Sequence, residues 1–109
     1  MSNSRILIDA NFCLEIWGTG YSKIKEICLL AGKLGYYGFY YGESLADIDL
    51  DCWTIISNLS TVTQMIKVGP VITYLFPQYR NISLLAKQAL TMQDISNKRL
   101  EFRTLCSAI

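Results

Sequence analysis

Apolar positions along the chain fall into short runs rich in β-branched or aromatic residues, each followed by a stretch where they recur at helical spacing. The first run is Ile6-Leu7-Ile8, which leads through the loop at Gly18-Thr19-Gly20 to Ser22 as a candidate N-cap. Ile24, Ile27, Cys28, Ala31 and Leu34 then fall on one helical face, and Gly35 is placed to close that helix. A second run, Tyr37 to Tyr41, reaches a polar loop from Gly42 to Asp49. Asp51 then caps a predicted helix with the stripe Cys52, Ile55, Ile56, Leu59 and Val62. The third unit runs from Ile66 to Ile72, passes Thr73 and Pro77, and reaches Asn81 as N-cap of a helix predicted to bury Ile82, Leu85, Ala86, Ala89 and Leu90. A last strand, Arg99 to Arg103, alternates Leu100 and Phe102 with charged residues.

The proposed helix starts at Ser22, Asp51 and Asn81 lie about 30 residues apart, the length of one βα unit of a parallel sheet. Such units build an open doubly wound sheet or a closed eight-stranded barrel. No G-x-G-x-x-G follows the first strand to favour a dinucleotide-binding sheet. The last strand favours the barrel, because Arg99, Glu101 and Arg103 share one face, where a barrel interior lets charges pair, while Leu100 and Phe102 face a helix layer. The expected fold is α/β: the N-terminal portion of a (β/α)₈ TIM barrel with about four parallel strands and three helices, a single partial domain over residues 1–109. A full barrel takes ~250 residues, so the barrel is incomplete.

Composition agrees with buried parallel strands. Of the 109 residues, 51% are apolar and 17% charged, which excludes disorder. Lys33, Asp47, Asp49, Asp51, Lys67 and Lys87 interrupt every apolar stretch well short of the ~18 residues of a membrane span. The net charge of +1, with both signs interleaved, gives no footprint for nucleic acid or an anionic bilayer. There is no histidine, and Cys13, Cys28, Cys52 and Cys106 are scattered, so reduced thiols in a cytoplasmic protein are expected rather than a zinc site or disulfides. Asp47, Asp49 and Asp51 read either as a metal loop or as carboxylates offsetting a helix dipole; no ligand pattern follows them, and no metal is expected.

Several segments together resemble the bacterial luciferase-like monooxygenase family: Leu34 to Leu45, Asp51 to Thr54, Ile66 to Thr73, Tyr79 to Asn81, Leu85 to Ala89 and Arg99 to Glu101. The similarity is strongest to the branch containing deazaflavin-dependent reductases and dehydrogenases. The resemblance implies a barrel that holds FMN or the 8-hydroxy-5-deazaflavin coenzyme (F-420) at the C-terminal ends of its strands and acts on a small-molecule substrate by hydride transfer or oxygen activation. The positions matching the family's cofactor contacts are Gly42, Glu43, Ser44, Ile72 and Thr73. Glu43 is the one candidate for a catalytic role. It orients substrate or the flavin edge, or else pairs with a lysine at the loop mouth. Ser44 stands where the family commonly has histidine, so acid-base chemistry tied to that imidazole does not carry over.

Thr73 is either a donor to a flavin carbonyl or an ordinary strand-end threonine. Lys87 and Gln88 belong to an outer-ring helix and a structural role. Arg80 either draws an anion to a helix start or is solvated. Of Tyr36, Tyr37, Tyr40 and Tyr41, one or two at most are expected to face a ligand. After Arg103 the tail Thr104-Leu105-Cys106-Ser107-Ala108-Ile109 departs from the glycine-rich turn usual in the family, as a truncated or frameshifted reading frame would. The sequence therefore supports two expectations: a truncated flavin- or deazaflavin-dependent oxidoreductase, or a non-catalytic half-barrel that dimerises or completes a partner subunit.

Overall fold

The computed structural model describes residues 12–16, 18–42, 50–71, 73–75, 80–102 and 104–105. The elements follow in the order β1 (Cys13–Ile16), α1 (Tyr21–Lys33), β2 (Gly38–Gly42), α2 (Cys52–Val62), β3 (Lys67–Val71), β4 (Thr73–Tyr74), α3 (Ile82–Ile95) and β5 (Thr104–Leu105). Strands β1, β2 and β3 lie side by side in chain order and pair in parallel. Leu100 bridges Val68 in parallel and β5 pairs with β4 in parallel, so Leu100 and β5 lie on the far side of β3 and β4. Four parallel columns in sequential order, with helices between them, form an α/β wall of the kind that makes up a (β/α)₈ barrel.

The first predicted strand, Ile6 to Ile8, lies outside the described residues, and β1 forms instead at Cys13–Ile16. Helix α1 begins one residue before Ser22: Gly20 is its N-cap, without a side-chain cap. Its end conforms to expectation. Gly35 adopts φ +83° and donates its N–H to the Gly32 carbonyl while Tyr36 donates to the Ala31 carbonyl, the paired bonds of a Schellman motif that a Cβ would strain. Asp51 caps α2 by accepting from the Thr54 N–H at 2.9 Å, and Asn81 caps α3 by accepting from the Leu84 N–H at 2.9 Å.

Register divides the sheet into two faces. Leu14 is level with Phe39, which is level with Val68, and Val68 with Leu100, so these four share the face that carries the helices. There Phe39, Tyr41, Val68 and Leu100 pack with Ile24, Cys28 and Ala31 of α1 and with Ile55, Ile56 and Leu59 of α2. The predicted stripes of α1 and α2 thus face the core, with Ile27 and Val62 partly buried, except that Leu34 is 65% exposed because it falls at the C-cap. The stripe predicted for α3 is displaced. Ile82 and Leu90 are exposed, while Leu85 and Met92 are buried, because α3 docks on α2 through a line that also includes Ala89. Among the described residues no helix is long and apolar enough to cross a membrane.

Candidate active-site wall

Cys13, Glu15, Gly38, Tyr40, Gly42, Lys67, Gly69 and Val71 alternate onto the face opposite the helices, the interior face of a barrel. Its main polar feature is the carboxylate of Glu101. The Tyr37 hydroxyl donates to Glu101 Oε2 at 2.6 Å and the Tyr40 hydroxyl donates to Oε1 at 3.0 Å, so each carboxylate oxygen is held by one phenol. The Tyr40 pKa is driven up, first by burial and then by its bond to Glu101; that of Tyr37 rises chiefly through its own bond to the carboxylate. Both groups stay protonated donors at neutral pH.

Space on this face comes from glycine. A Cβ on Gly69 would lie 1.7 Å from the Glu101 carbonyl oxygen, and a Cβ on Gly38 would lie 2.6 Å from the Tyr40 hydroxyl. Glycine at 69 thus lets the chain at Glu101 close against β3, and glycine at 38 lets the Tyr40 ring fold back along its own strand. The cluster consequently sits toward the strand starts.

Arg99 corrects the expectation that three charges would share the interior face. Its guanidinium instead reaches the end of α2, where Nε donates to the Ser96 carbonyl, Nη1 to Thr63 Oγ1 and the Ile66 carbonyl, and Nη2 to the Ser60 and Thr63 carbonyls, all at 2.7–3.1 Å. All five N–H groups are used, and a cation lies where the helix dipole is negative. Arg103, the third charge, lies outside the described residues. The buried Cys28 thiol is pushed up to about 11 by desolvation, opposed by the positive Arg99. None of Cys13, Cys28 and Cys52 is in a disulfide, and no cluster of metal-ligating side chains occurs among the described residues.

At the C-terminal ends of the strands, β2 stops at Gly42 and the third column continues from β3 into β4 at Thr73. Gly42 is buried. Thr73 is fully buried, and its hydroxyl has no hydrogen-bond partner among the described residues. Glu43, Ser44 and Ile72 lie outside the described residues. Of the four tyrosines singled out by sequence, Tyr41 is in the core and Tyr36 packs on it, whereas Tyr37 and Tyr40 reach Glu101. The pairing of those two phenols with Glu101 lies outside what the sequence pattern predicts. The alternation of Gly38, Tyr40 and Gly42 carried the signal for Tyr40; Tyr37 lies before the strand, beyond the reach of that rule.

No curated protein matches this chain. Among solved structures, it is similar to the coenzyme F-420-dependent tetrahydromethanopterin reductase of Methanopyrus kandleri, with a TM-score of 0.75 at 20% identity over 89% of this chain and 27% of that one. It is also similar to the monooxygenase RslO1 of Streptomyces bottropensis, with a TM-score of 0.77 at 16% identity over 87% of this chain and 32% of that one. A third similarity is to the oxygenating constituent of 3,6-diketocamphane monooxygenase from Pseudomonas putida, a type II Baeyer-Villiger monooxygenase in complex with FMN. There the TM-score is 0.78 at 15% identity over 94% of this chain and 31% of that one. The chain therefore spans about a third or less of each of these proteins, and the likeness establishes the partial-barrel fold. A family model, luciferase-like monooxygenase, matches residues 10–104, and by that match, on a wall of the corresponding architecture, the chain belongs to the luciferase-like monooxygenase family.

Proposed function

We propose that the chain is the N-terminal wall of a flavin- or deazaflavin-dependent oxidoreductase, with FMN or coenzyme F-420 held at the C-terminal ends of its strands. The observation that carries this reading is the Thr73 hydroxyl, fully buried at a strand end with no partner among the described residues. Such a group costs about 1–3 kcal/mol unless something satisfies it, and a ring carbonyl of a flavin is an acceptor of the required kind. The family membership and the FMN of the Pseudomonas putida protein agree with that ligand. In a barrel of this kind the ligand belongs at this end of the strands.

The cofactor, when bound, supplies the hydride or oxygen chemistry in its ring system, and the protein has to hold and orient it. Gly42 offers backbone without a side chain, Thr73 offers a donor, and Glu43, Ser44 and Ile72 complete the proposed contacts. Glu43 is proposed to orient substrate or the polar flavin edge. Tyr37, Tyr40 and Glu101 close the floor, keeping bulk water from the underside of the site. The substrate is a small molecule, and the compartment is proposed to be the cytoplasm.

A second reading of the chain starts from the exposed apolar side chains Ile82, Leu84, Leu90 and Ile95 of α3. On that reading it is a non-catalytic half-barrel that pairs with itself or completes a partner subunit. Size-exclusion chromatography with in-line visible absorbance, in the presence of FMN and then of F-420, separates the two. Chromophore co-eluting with a defined species supports the oxidoreductase wall; a colourless stable dimer supports the second reading.

A further inference from the structure

Both ends of the described wall are open. Strand β1 pairs with β2 alone and β5 with β4 alone, so each outer strand keeps one row of backbone N–H and C=O groups without a strand partner among the described residues. The helices beside those strands are open in the same two directions. In α1 the Tyr21 hydroxyl donates to Asn58 Oδ1 and so marks the side that meets α2. Leu30 lies half a turn round the helix from Tyr21, with Ile27 and Leu34 one turn before and after it; Leu30 is 52% and Leu34 65% exposed. In α3 it is Met92 that marks the α2 side, its sulfur 3.1 Å from the Ser57 hydroxyl. Leu90 points about 200° away from Met92 and is 73% exposed, and Ile82 and Ala86 extend that flank at one-turn intervals.

An apolar helix flank beside an unpaired strand is the surface on which the next βα unit of a barrel packs. The wall carries two such surfaces, and each complements the other. All its strands run the same way, so the free side of β1 in one copy can pair in parallel with the free side of the fourth column in another. Leu30 and Leu90 stand at nearly the same height, counted from the caps Gly20 and Asn81, so that pairing sets one apolar flank against the other. Four columns from each copy make the eight strands of a barrel, and a contact between two different surfaces closes at two copies when it is made twice.

We propose that two copies of this chain close one eight-stranded barrel, β1 and α1 of each copy meeting the fourth column and α3 of the other. The inference rests on the half-barrel reading and deepens it. It commits to a second copy in preference to a different partner because the two edges match each other in strand polarity, in height and in apolar character. The outward face shared by α2 and α3 takes no part.

Sedimentation velocity of the full chain at about 50 µM should give a species of twice the monomer mass. Leu30→Asp and Leu90→Lys, at side chains that a single copy leaves exposed, should each weaken that dimer at least about 10-fold with the circular dichroism spectrum unchanged. An equimolar mixture of the two variants should recover it, because one contact is then native on both sides and the other sets a carboxylate against an ammonium. A wild-type chain that stays monomeric, or that forms assemblies larger than a dimer, overturns the proposal. So does a dimer that both variants leave intact, or one that each variant weakens and the mixture fails to recover. In those last two cases the copies pair through another surface and the half-barrel reading survives, whereas a monomer removes self-pairing from that reading as well.

Discussion

At the scale of single residues, the wall depends on a few side chains whose partners lie far away in sequence. Arg99 is the clearest case, because one guanidinium satisfies carbonyls of Ser60, Thr63, Ile66 and Ser96. Replacing it with methionine keeps the length but leaves those carbonyls to compete for little water, so Arg99→Met should cost at least about 3 kcal/mol in urea unfolding. Gly69→Ala should be at least as damaging, since the added methyl would meet backbone at Glu101 rather than a side chain able to turn away; about 3 kcal/mol or more is expected, or loss of the folded state. Cys28 gives a chemical check. Its thiol is buried and held protonated by a pKa near 11, whereas Cys13 is exposed. Brief alkylation by iodoacetamide at pH 8 followed by mass mapping should label Cys13 and spare Cys28 until the chain is denatured.

At the scale of elements, local chemistry and tertiary contact divide the control. The helix caps at Asp51 and Asn81 are legible in the sequence because an Asx side chain before an apolar period satisfies its own helix, and Gly35 because a positive φ selects glycine. Ser22 resembles a cap, yet the N-cap of α1 lies two residues earlier, at Gly20, without a capping side chain. The α3 stripe departs from its sequence pattern for a different reason. Its apolar residues wrap more than one face, and which face is buried depends on where α2 lies, as Leu85 and Met92 inside with Leu90 outside show. Of the candidate site, Thr73 and Gly42 rest on family resemblance alone. The phenol pair on Glu101 joins residues 61 and 64 positions apart, which no local pattern encodes.

That pair belongs to the element scale in its consequences too. Both tyrosines have folded-state pKa values above their ordinary value of about 10, so above that pH the folded chain keeps protons that the unfolded chain has lost. Stability from this source is complete below about pH 10 and is lost as pH rises beyond it. Urea midpoints measured from pH 7 to 11 should fall at the alkaline end, and Tyr40→Phe should shallow that fall while lowering the midpoint at pH 7.

At the scale of the whole molecule, the protein is a four-column parallel wall with helices on one side and, on the other, an interior face that carries Cys13, Glu15, Lys67 and Val71 beside its glycines and the phenols held on Glu101. Such a face suits closure by further strands or by a ligand, and the family membership indicates a barrel. The central claim is that the strand ends of this wall take a flavin-type cofactor through Thr73. Its most direct test is equilibrium titration of FMN and of F-420, followed by cofactor fluorescence, on the wild-type chain and on Thr73→Val, with circular dichroism confirming equal folding. Saturable binding of one cofactor, weakened at least about 5-fold by Thr73→Val, is the result this account predicts. Absence of saturable binding by either cofactor to the folded wild-type chain, or binding indifferent to Thr73→Val, would contradict it.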